Sequence, residues 1–133
     1  MAQNSSNNTD LNNTITVMPE SGGQTLCLAL DGQITRKSHQ EYLRAGLENI
    51  LKNHDSYNLL LYYTPGYQGW DPAAADSSMQ SILDYGRKAR KLAFVNPSEK
   101  KIMQHKMTPD LFGGETRFFD AHELQEAISW VKS

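Results

Sequence analysis

Apolar residues follow two spacings along the chain, and these spacings predict an α/β fold. Alternating or continuous apolar residues are typical of strands, and they occur at residues 14–18, 26–30, 59–63, 92–95 and 116–119. Elsewhere apolar residues recur three, four and seven positions apart, which is typical of helices. The helical positions are Leu43, Leu47, Ile50 and Leu51, then Ala75, Met79, Ile82 and Leu83, then Ile102 and Met103, and finally Leu124, Ala127, Ile128 and Val131. The predicted order is β-β-α-β-α-β-α-β-α.

The connections between these elements predict the sheet topology. Turn residues at 19–23 join the first two strands, which we interpret as a hairpin. Each later strand follows a helix, and right-handed crossovers make such strands parallel. The expected fold is an α/β domain with a mixed sheet of four to five strands and about four helices, which cover both faces. The first strand lies at an edge, and pairing of two such edges would make a homodimer.

Four capping signatures predict where the helices begin. A polar residue followed by Pro at the first helical position, or by Glu three positions later, is typical of an N-cap. The pairs are Ser38 with Glu41, Asp71 with Pro72, Asn96 with Pro97, and Asp120 with Glu123. The second helix is expected to end near Gly86, where basic residues favour the negative end of its dipole.

Residues 1–13 differ in composition from the rest of the chain. The segment is rich in Asn and Ser, and Leu11 is its only large apolar residue after Met1. Such a segment cannot bury enough apolar surface to offset its ordering entropy. We therefore predict a disordered tail at residues 1–13 and a single domain at residues 14–133. The tail helps to explain why only 38% of the residues are hydrophobic.

Charge and cysteine content exclude several classes of function. Thirteen Lys and Arg against fifteen Asp and Glu give a net charge of −2, so no overall positive field attracts nucleic acid or an anionic membrane. Cys27 is the single cysteine, which excludes internal disulfides and multi-thiolate zinc sites. The sequence has neither a secretory signal nor an apolar run of membrane-spanning length. A cytoplasmic protein without stable membrane insertion is expected.

Five short motifs stand in order along the chain. They are Leu28, Leu30, Gly32, Ile34 and Thr35, then Gly69 and Trp70, then residues 90–95, then Arg117, Phe118 and Phe119, and finally Glu126, Ala127, Ile128 and Trp130. Together they resemble bacterial SpoIIAA-like proteins, part of the wider STAS-like and Sec14-like group, over about residues 14 to 132. The resemblance implies a cytoplasmic α/β domain with the shape of an anti-sigma-factor antagonist, and it implies no established enzymatic activity.

The resemblance also makes Ser77 and Ser78 candidate phosphorylation sites. Anti-sigma antagonists are regulated on a serine in an Asp-Ser-Ser-Gly-like turn at the start of a helix, whereas this chain has Met79 in place of the glycine. If the helix begins at Asp76, a phosphoserine meets the helix dipole favourably. If it begins at Asp71, both serines lie in mid-helix, where a phosphate finds no free backbone N–H group. Ordinary polar helix positions are the alternative interpretation.

No catalytic, metal-binding or cofactor-binding motif is recognisable. Cys27 lies in an apolar strand, which is typical of a buried, inert thiol. The four histidines, which are too far apart in sequence for metal-ligand spacing, are His39, His54, His105 and His122. The glycine pairs lack the Lys-Ser/Thr of a P-loop. We predict no catalytic residue, no metal and no cofactor, and thus a protein that is not an enzyme.

The segment after the third strand carries the candidate binding residues. Residues 64–70 combine glycine with aromatic residues, and we interpret them as a loop beyond the carboxyl end of a parallel strand, where ligands bind in α/β sheets. The candidates are Tyr63, Tyr67, Trp70 and Asp71. The aromatic residues either line a pocket, anchor a partner or fold back as a lid on the core. Our leading hypothesis is a non-catalytic regulatory module that binds a protein partner through this loop, and the alternative is a carrier of a small apolar or lipid-like ligand.

Overall fold

A five-stranded mixed sheet runs through residues 14–133, which are the residues that the computed structural model describes. The strands are β1 (Ile15–Val17), β2 (Thr25–Ile34), β3 (Tyr57–Trp70), β4 (Ala89–Val95) and β5 (Glu115–Phe119). They lie side by side in chain order, with β1 antiparallel to β2 and all later neighbours parallel. The predicted hairpin and parallel units are confirmed. The tail predicted at residues 1–13 lies outside the described residues.

Four main helices accompany the sheet within this part of the chain. They are α1 (residues 36–51), α2 (Pro72–Tyr85), α3 (Glu99–Met107) and α4 (Leu124–Lys132). α1 is continuous but changes its hydrogen-bonding pattern, with a π-helical stretch at His39–Arg44 between two α-helical segments. The mixed α/β fold with about four helices is therefore confirmed. Within the described residues, no helix has both the length and the apolar character needed to cross a membrane.

The sheet separates two hydrophobic cores. Side chains alternate across a strand, so Leu59 and Leu61 of β3 enter one core and Leu60 enters the other. α1 and α2 pack against the first face, whereas α4 covers the second. This double coverage explains the continuous apolar runs in the central strands, and each fully buried leucine contributes about 1.5–3 kcal/mol to stability.

The edge strand β1 is only partly covered. Ile15 is fully buried opposite Leu30, whereas Val17, on the same face, is 46% exposed. Within the described residues β1 pairs with β2 alone. Pairing of two β1 edges in a homodimer stays a prediction.

Two of the four predicted N-caps are confirmed. The Asp71 carboxylate accepts a hydrogen bond from the N–H of Ala74 at 2.7 Å, and Pro72 occupies the first helical position of α2. Asp120 and Glu123 form a reciprocal capping box. A short 3₁₀ turn at Ala121–Glu123 then leads into α4.

The other two predicted N-caps, at Ser38 and Asn96, are wrong. α1 begins earlier because Thr35 Oγ1 accepts a hydrogen bond from the N–H of Ser38 at 3.1 Å, and Ser38 is buried within the helix. α3 begins later because Ser98 Oγ accepts from the N–H of Lys101 at 3.1 Å. In both places a neighbouring hydroxyl residue caps the helix instead of the predicted one.

α2 ends before Gly86 as predicted, but it turns a different face toward the core. Three of the four predicted core positions are exposed, namely Ala75, Met79 and Leu83. The buried positions are Ala74 and Ser81. The predicted face is wrong because hydrogen bonds between side chains of α1 and the serines Ser77 and Ser81 of α2 set its rotation. A pattern of apolar residues carries no information about such contacts.

β3 is longer than predicted and includes the residues interpreted as a loop. It continues to Trp70 because β2 continues beside it, with Gly32 paired to Tyr67 and Ile34 paired to Trp70. The register shifts twice along this extension, where Gly32 has a positive φ of 64°. The predicted loop at residues 64–70 is therefore wrong. Backbone pairing continues past the point where the apolar run ends.

Candidate functional site

An apolar cavity of about 50 Å³ lies between the sheet and helices α1, α2 and α3. Its apolar wall includes Leu43 and Leu47 from α1, Leu59 and Leu61 from β3, and Phe94 from β4. These side chains belong to the core on the α1 face of the sheet, so the cavity is a gap in that core. Four polar side chains also line it, namely His39, Ser78, Ser81 and Lys101.

Of the four predicted binding residues, the structure brings Trp70 to the cavity. Its half-buried ring meets the ring of His39 edge-on, with 5.8 Å between centroids. Tyr63 is 3% exposed and meets Tyr67 edge-on at 4.9 Å, and burial raises the pKa of both hydroxyl groups. Asp71 caps α2. Trp70 thus lines the cavity, the two tyrosines pack against the core, and Asp71 stabilises the N-terminus of α2.

His39 is a cavity residue that the sequence analysis missed. Its side chain is 0% exposed, and Nδ1 lies 2.9 Å from Ser77 Oγ. Among the described residues, Nε2 has no hydrogen-bond partner. Burial, assisted by the positive charge of Arg44, lowers the pKa of His39 to about 4, so the ring is neutral at pH 7. No local pattern could reveal this residue, because Ser77 lies 38 positions away.

Lys101 is the second residue that was missed. It is half-buried on α3, and its Nζ lies 5.4 Å from the centroid of the Phe94 ring. Burial lowers the pKa of this ammonium group. His105 follows one turn later and packs against three phenylalanine rings, whereas Met103, a predicted core residue, is 59% exposed. The sequence did contain one indication of this arrangement, because Lys101 and His105 are four positions apart and therefore lie on the same face of a helix. Polar residues at that spacing, however, ordinarily indicate a solvent-exposed face.

A separate polar cleft of about 340 Å³ lies between α1 and α2. It is lined by Arg36, Gln40, Arg44, Ala73, Asp76, Ser77 and Gln80. The guanidinium group of Arg44 is already engaged, because it lies 2.7 Å from the carboxylate of Asp84 and 3.3 Å from that of Glu48. It also donates a hydrogen bond to Ser81 Oγ at 3.2 Å. These contacts join α1 to α2 through polar side chains.

The candidate phosphorylation sites lie in the second turn of α2. The helix begins after Asp71, so the alternative start at Asp76 is wrong. Backbone N–H groups at Ser77 and Ser78 are used within the helix and are not available to a phosphate. Ser77 lines the polar cleft, whereas Ser78 lines the apolar cavity. Phosphorylation of either residue stays a prediction.

Cys27 lies on the opposite face of the sheet, in the core under α4. It is fully buried, as predicted, and burial with the nearby charge of Glu20 raises the pKa of the thiol to about 11. The thiol is therefore protonated at neutral pH. Within residues 14–133, no group of three or more His, Cys, Asp or Glu side chains is arranged to hold a metal ion.

Comparison with known proteins agrees with this architecture. The profile of the family described as SpoIIAA-like matches residues 25–132. A solved structure of an uncharacterized protein with a SpoIIAA-like fold, from Shewanella loihica PV-4, is 18% identical in sequence and superimposes with a TM-score of 0.65. The match covers 88% of this chain and 93% of that chain, and at this identity it shows the fold alone. A search of curated proteins found no match.

Proposed function

The chain belongs to the SpoIIAA-like family, and we propose that it is a non-catalytic binding module that holds a small apolar ligand. The observation that carries the proposal is the cavity of about 50 Å³ between the sheet and α1, α2 and α3. Protein interiors are close-packed and leave few such gaps. Trp70 lines the cavity and is the last residue of β3, so the cavity extends to the carboxyl ends of the parallel strands. Ligands bind at these ends in α/β sheets.

α3 provides the entry route in this proposal. None of its residues is fully buried, and Met103 and Met107 are 59% and 74% exposed. A helix that buries little apolar surface costs little to displace. We infer that α3 moves outward to admit a ligand larger than the unliganded gap.

Filling the cavity from within tests the proposal. Ser78 is half-buried on the cavity wall, so Ser78→Leu places a side chain in the space that the ligand requires. We expect hexanol to bind the wild-type protein and to shift the indole NMR signal of Trp70. We expect Ser78→Leu to weaken hexanol binding by roughly tenfold or more, because the added side chain competes for the same volume.

Ala75→Leu is the matched control, because it places the same side chain at an exposed position of α2. This variant should bind hexanol as the wild type does. Absence of binding to the wild type, or equal binding by the two leucine variants, contradicts the proposal.

A second candidate function is the binding of a protein partner, and exposed apolar side chains on α2 and α3 favour it. Each helix has two such side chains one turn apart, and all four are at least half exposed. They are Met79 and Leu83 on α2, and Met103 and Met107 on α3. Methionine-rich surfaces adapt to partner proteins. We propose this surface, which we call the α2–α3 surface, in place of the predicted aromatic loop, because Tyr67 and Trp70 are half-buried.

Charge substitution tests the α2–α3 surface. We expect the double variant Met79→Lys and Met103→Lys to lose a partner that the wild type captures by cross-linking in cell extract, because desolvating two ammonium groups at an interface is costly. Val17→Lys places the same charge on an exposed apolar position of β1 and should retain the partner. Loss of the partner in both proteins, or in neither, counts against this surface.

A further inference from the structure

We propose that the ligand of this cavity is an apolar monocarboxylic acid whose carboxylate pairs with Lys101 Nζ while its hydrocarbon chain lies among the leucines. The inference rests on the proposed binding function and adds the chemical class of the ligand. It starts from two side chains that line an otherwise largely apolar cavity, Lys101 and His39. Among the described residues, the Lys101 ammonium group has no ion-pair partner and His39 Nε2 has no hydrogen-bond partner.

Among the described residues, the ammonium group of Lys101 has no counter-ion. None of the ion pairs among the described residues includes it, and its Nζ instead lies 5.4 Å from the Phe94 ring centroid. A ring face attracts a cation less strongly than a hydrogen-bonded carboxylate does. Removing the ammonium group from water without an anionic partner is costly, and the lowered pKa reports that cost. A bound carboxylate would supply the missing negative charge.

His39 gives a second and independent indication. It is fully buried, and its Nε2 has no partner among the described residues. When the hydroxyl group of Ser77 donates to Nδ1, the neutral ring carries its proton on Nε2, which is then a free donor. Buried donors are nearly always satisfied in native proteins. An acceptor oxygen of the ligand would satisfy this one.

Charge complementarity distinguishes a carboxylate from other polar groups. An alcohol would leave the charge of Lys101 unbalanced, and an amine would be repelled by it. A phosphate carries more charge and is ordinarily held by several cationic donors. Lys101 is the one Lys or Arg among the described residues that line the cavity, and the nearby Arg44 is already paired with Asp84 and Glu48. A single negative charge fits this arrangement.

The size of the cavity indicates a short hydrocarbon chain. Its volume of about 50 Å³ is several times the roughly 10–15 Å³ that one water molecule requires. This leaves room for a few carbon atoms before α3 has to move. Straight-chain acids of four to eight carbons, with the alcohols of the same length, are therefore the appropriate probes.

Calorimetric titration at pH 7 tests the inference with hexanoate and hexanol. We expect hexanoate to bind the wild-type protein more tightly than hexanol does. Lys101→Met keeps the length and apolar character of the side chain but removes its charge. We expect it to weaken hexanoate binding by roughly tenfold or more, which is typical for loss of a charge-assisted hydrogen bond, and to change hexanol binding by a much smaller factor. Hexanol binding also reports that the variant is folded.

Two further variants complete the test. Lys100→Met removes an exposed charge from the adjacent position and should bind hexanoate as the wild type does, and Lys101→Arg should retain most of the affinity. If neither hexanol nor hexanoate binds the wild type, the proposed function itself fails. If hexanol binds but hexanoate binds no more tightly, or if Lys101→Met leaves hexanoate binding unchanged, the carboxylate inference fails while the apolar site stands.

Discussion

His39 illustrates how a single buried residue links two of the three helices that line the cavity. Its Nδ1 meets Ser77 across the α1–α2 contact, and its ring meets Trp70 on the cavity wall. The same burial that removes it from solvent disfavours its charged form. A residue with an ordinary pKa near neutrality thereby becomes a neutral part of the core.

Protonation of His39 should destabilise the protein in mild acid. Its folded pKa of about 4 lies below the value of 6.5 for an unperturbed histidine, so the unfolded chain binds the proton first as the pH falls. The contribution to stability is therefore complete above about pH 6.5 and is lost progressively toward pH 4. Between pH 7 and pH 5 this single group accounts for a loss of about 2 kcal/mol.

Urea unfolding at pH 7 and pH 5 measures this effect. The wild-type protein should lose more free energy of unfolding between the two pH values than His39→Gln does, and the difference should be about 2 kcal/mol. Other titrating groups, including His105, are present in both proteins and cancel in the comparison. Equal losses would show that His39 does not titrate as its burial predicts.

At the scale of elements, α2 shows how polar contacts override an apolar pattern. The sequence spacing pointed to a face with Met79 and Leu83, but the helix is rotated so that Ser77 and Ser81 meet His39 and Arg44 of α1. Burying those polar groups without hydrogen bonds would be costly. This rotation leaves Met79 and Leu83 exposed, and they supply the α2 part of the α2–α3 surface that we propose.

Truncation of one leucine on α1 and one on α2 tests which face of α2 is buried. Leu47 of α1 is 2% exposed and Leu83 of α2 is 62% exposed. Leu47→Ala should lower the free energy of unfolding by about 2–5 kcal/mol, because it leaves a larger gap in the core. Leu83→Ala should change it by less than about 0.5 kcal/mol, as is usual for surface positions. A large loss from Leu83→Ala in urea unfolding would mean that α2 packs on its predicted face.

At the scale of the whole molecule, the order of the strands decides which face of the sheet carries the proposed ligand site. Strands that follow one another across the sheet with right-handed crossovers carry their connecting helices on one face. α1, α2 and α3 therefore share a face, and α4 is the one helix among the described residues that covers the other. The core under α4 is built around residues such as Leu60, Val95 and Val131. The cavity lies on the face of the sheet that α1, α2 and α3 cover, and several polar side chains also line it there. The ligand site that we propose therefore lies on that face.

Much of the fold could be predicted from the sequence, whereas little of the candidate site could. Asp71 and Asp120 were identifiable as caps because the residues that signal them, Pro72 and Glu123, lie within three positions in the sequence. Trp70 was identified by its place after a buried strand and does line the cavity. The extension of β3 to Trp70 was not predictable, because it depends on pairing with β2 residues far away in the chain.

The sequence by itself determined the order of the elements, the parallel topology and the double-sided core, because these follow from spacings within one strand or one helix and from the handedness of connections. It also indicated the family, through a resemblance carried by the order of five short motifs. The tertiary structure alone decided which face of α2 is buried, that the aromatic segment is a strand, and that Lys101, His39 and Trp70 share a cavity. The physical reason is that burial and hydrogen bonding between residues such as His39 and Ser77 depend on how separate helices pack, and no local spacing encodes that packing.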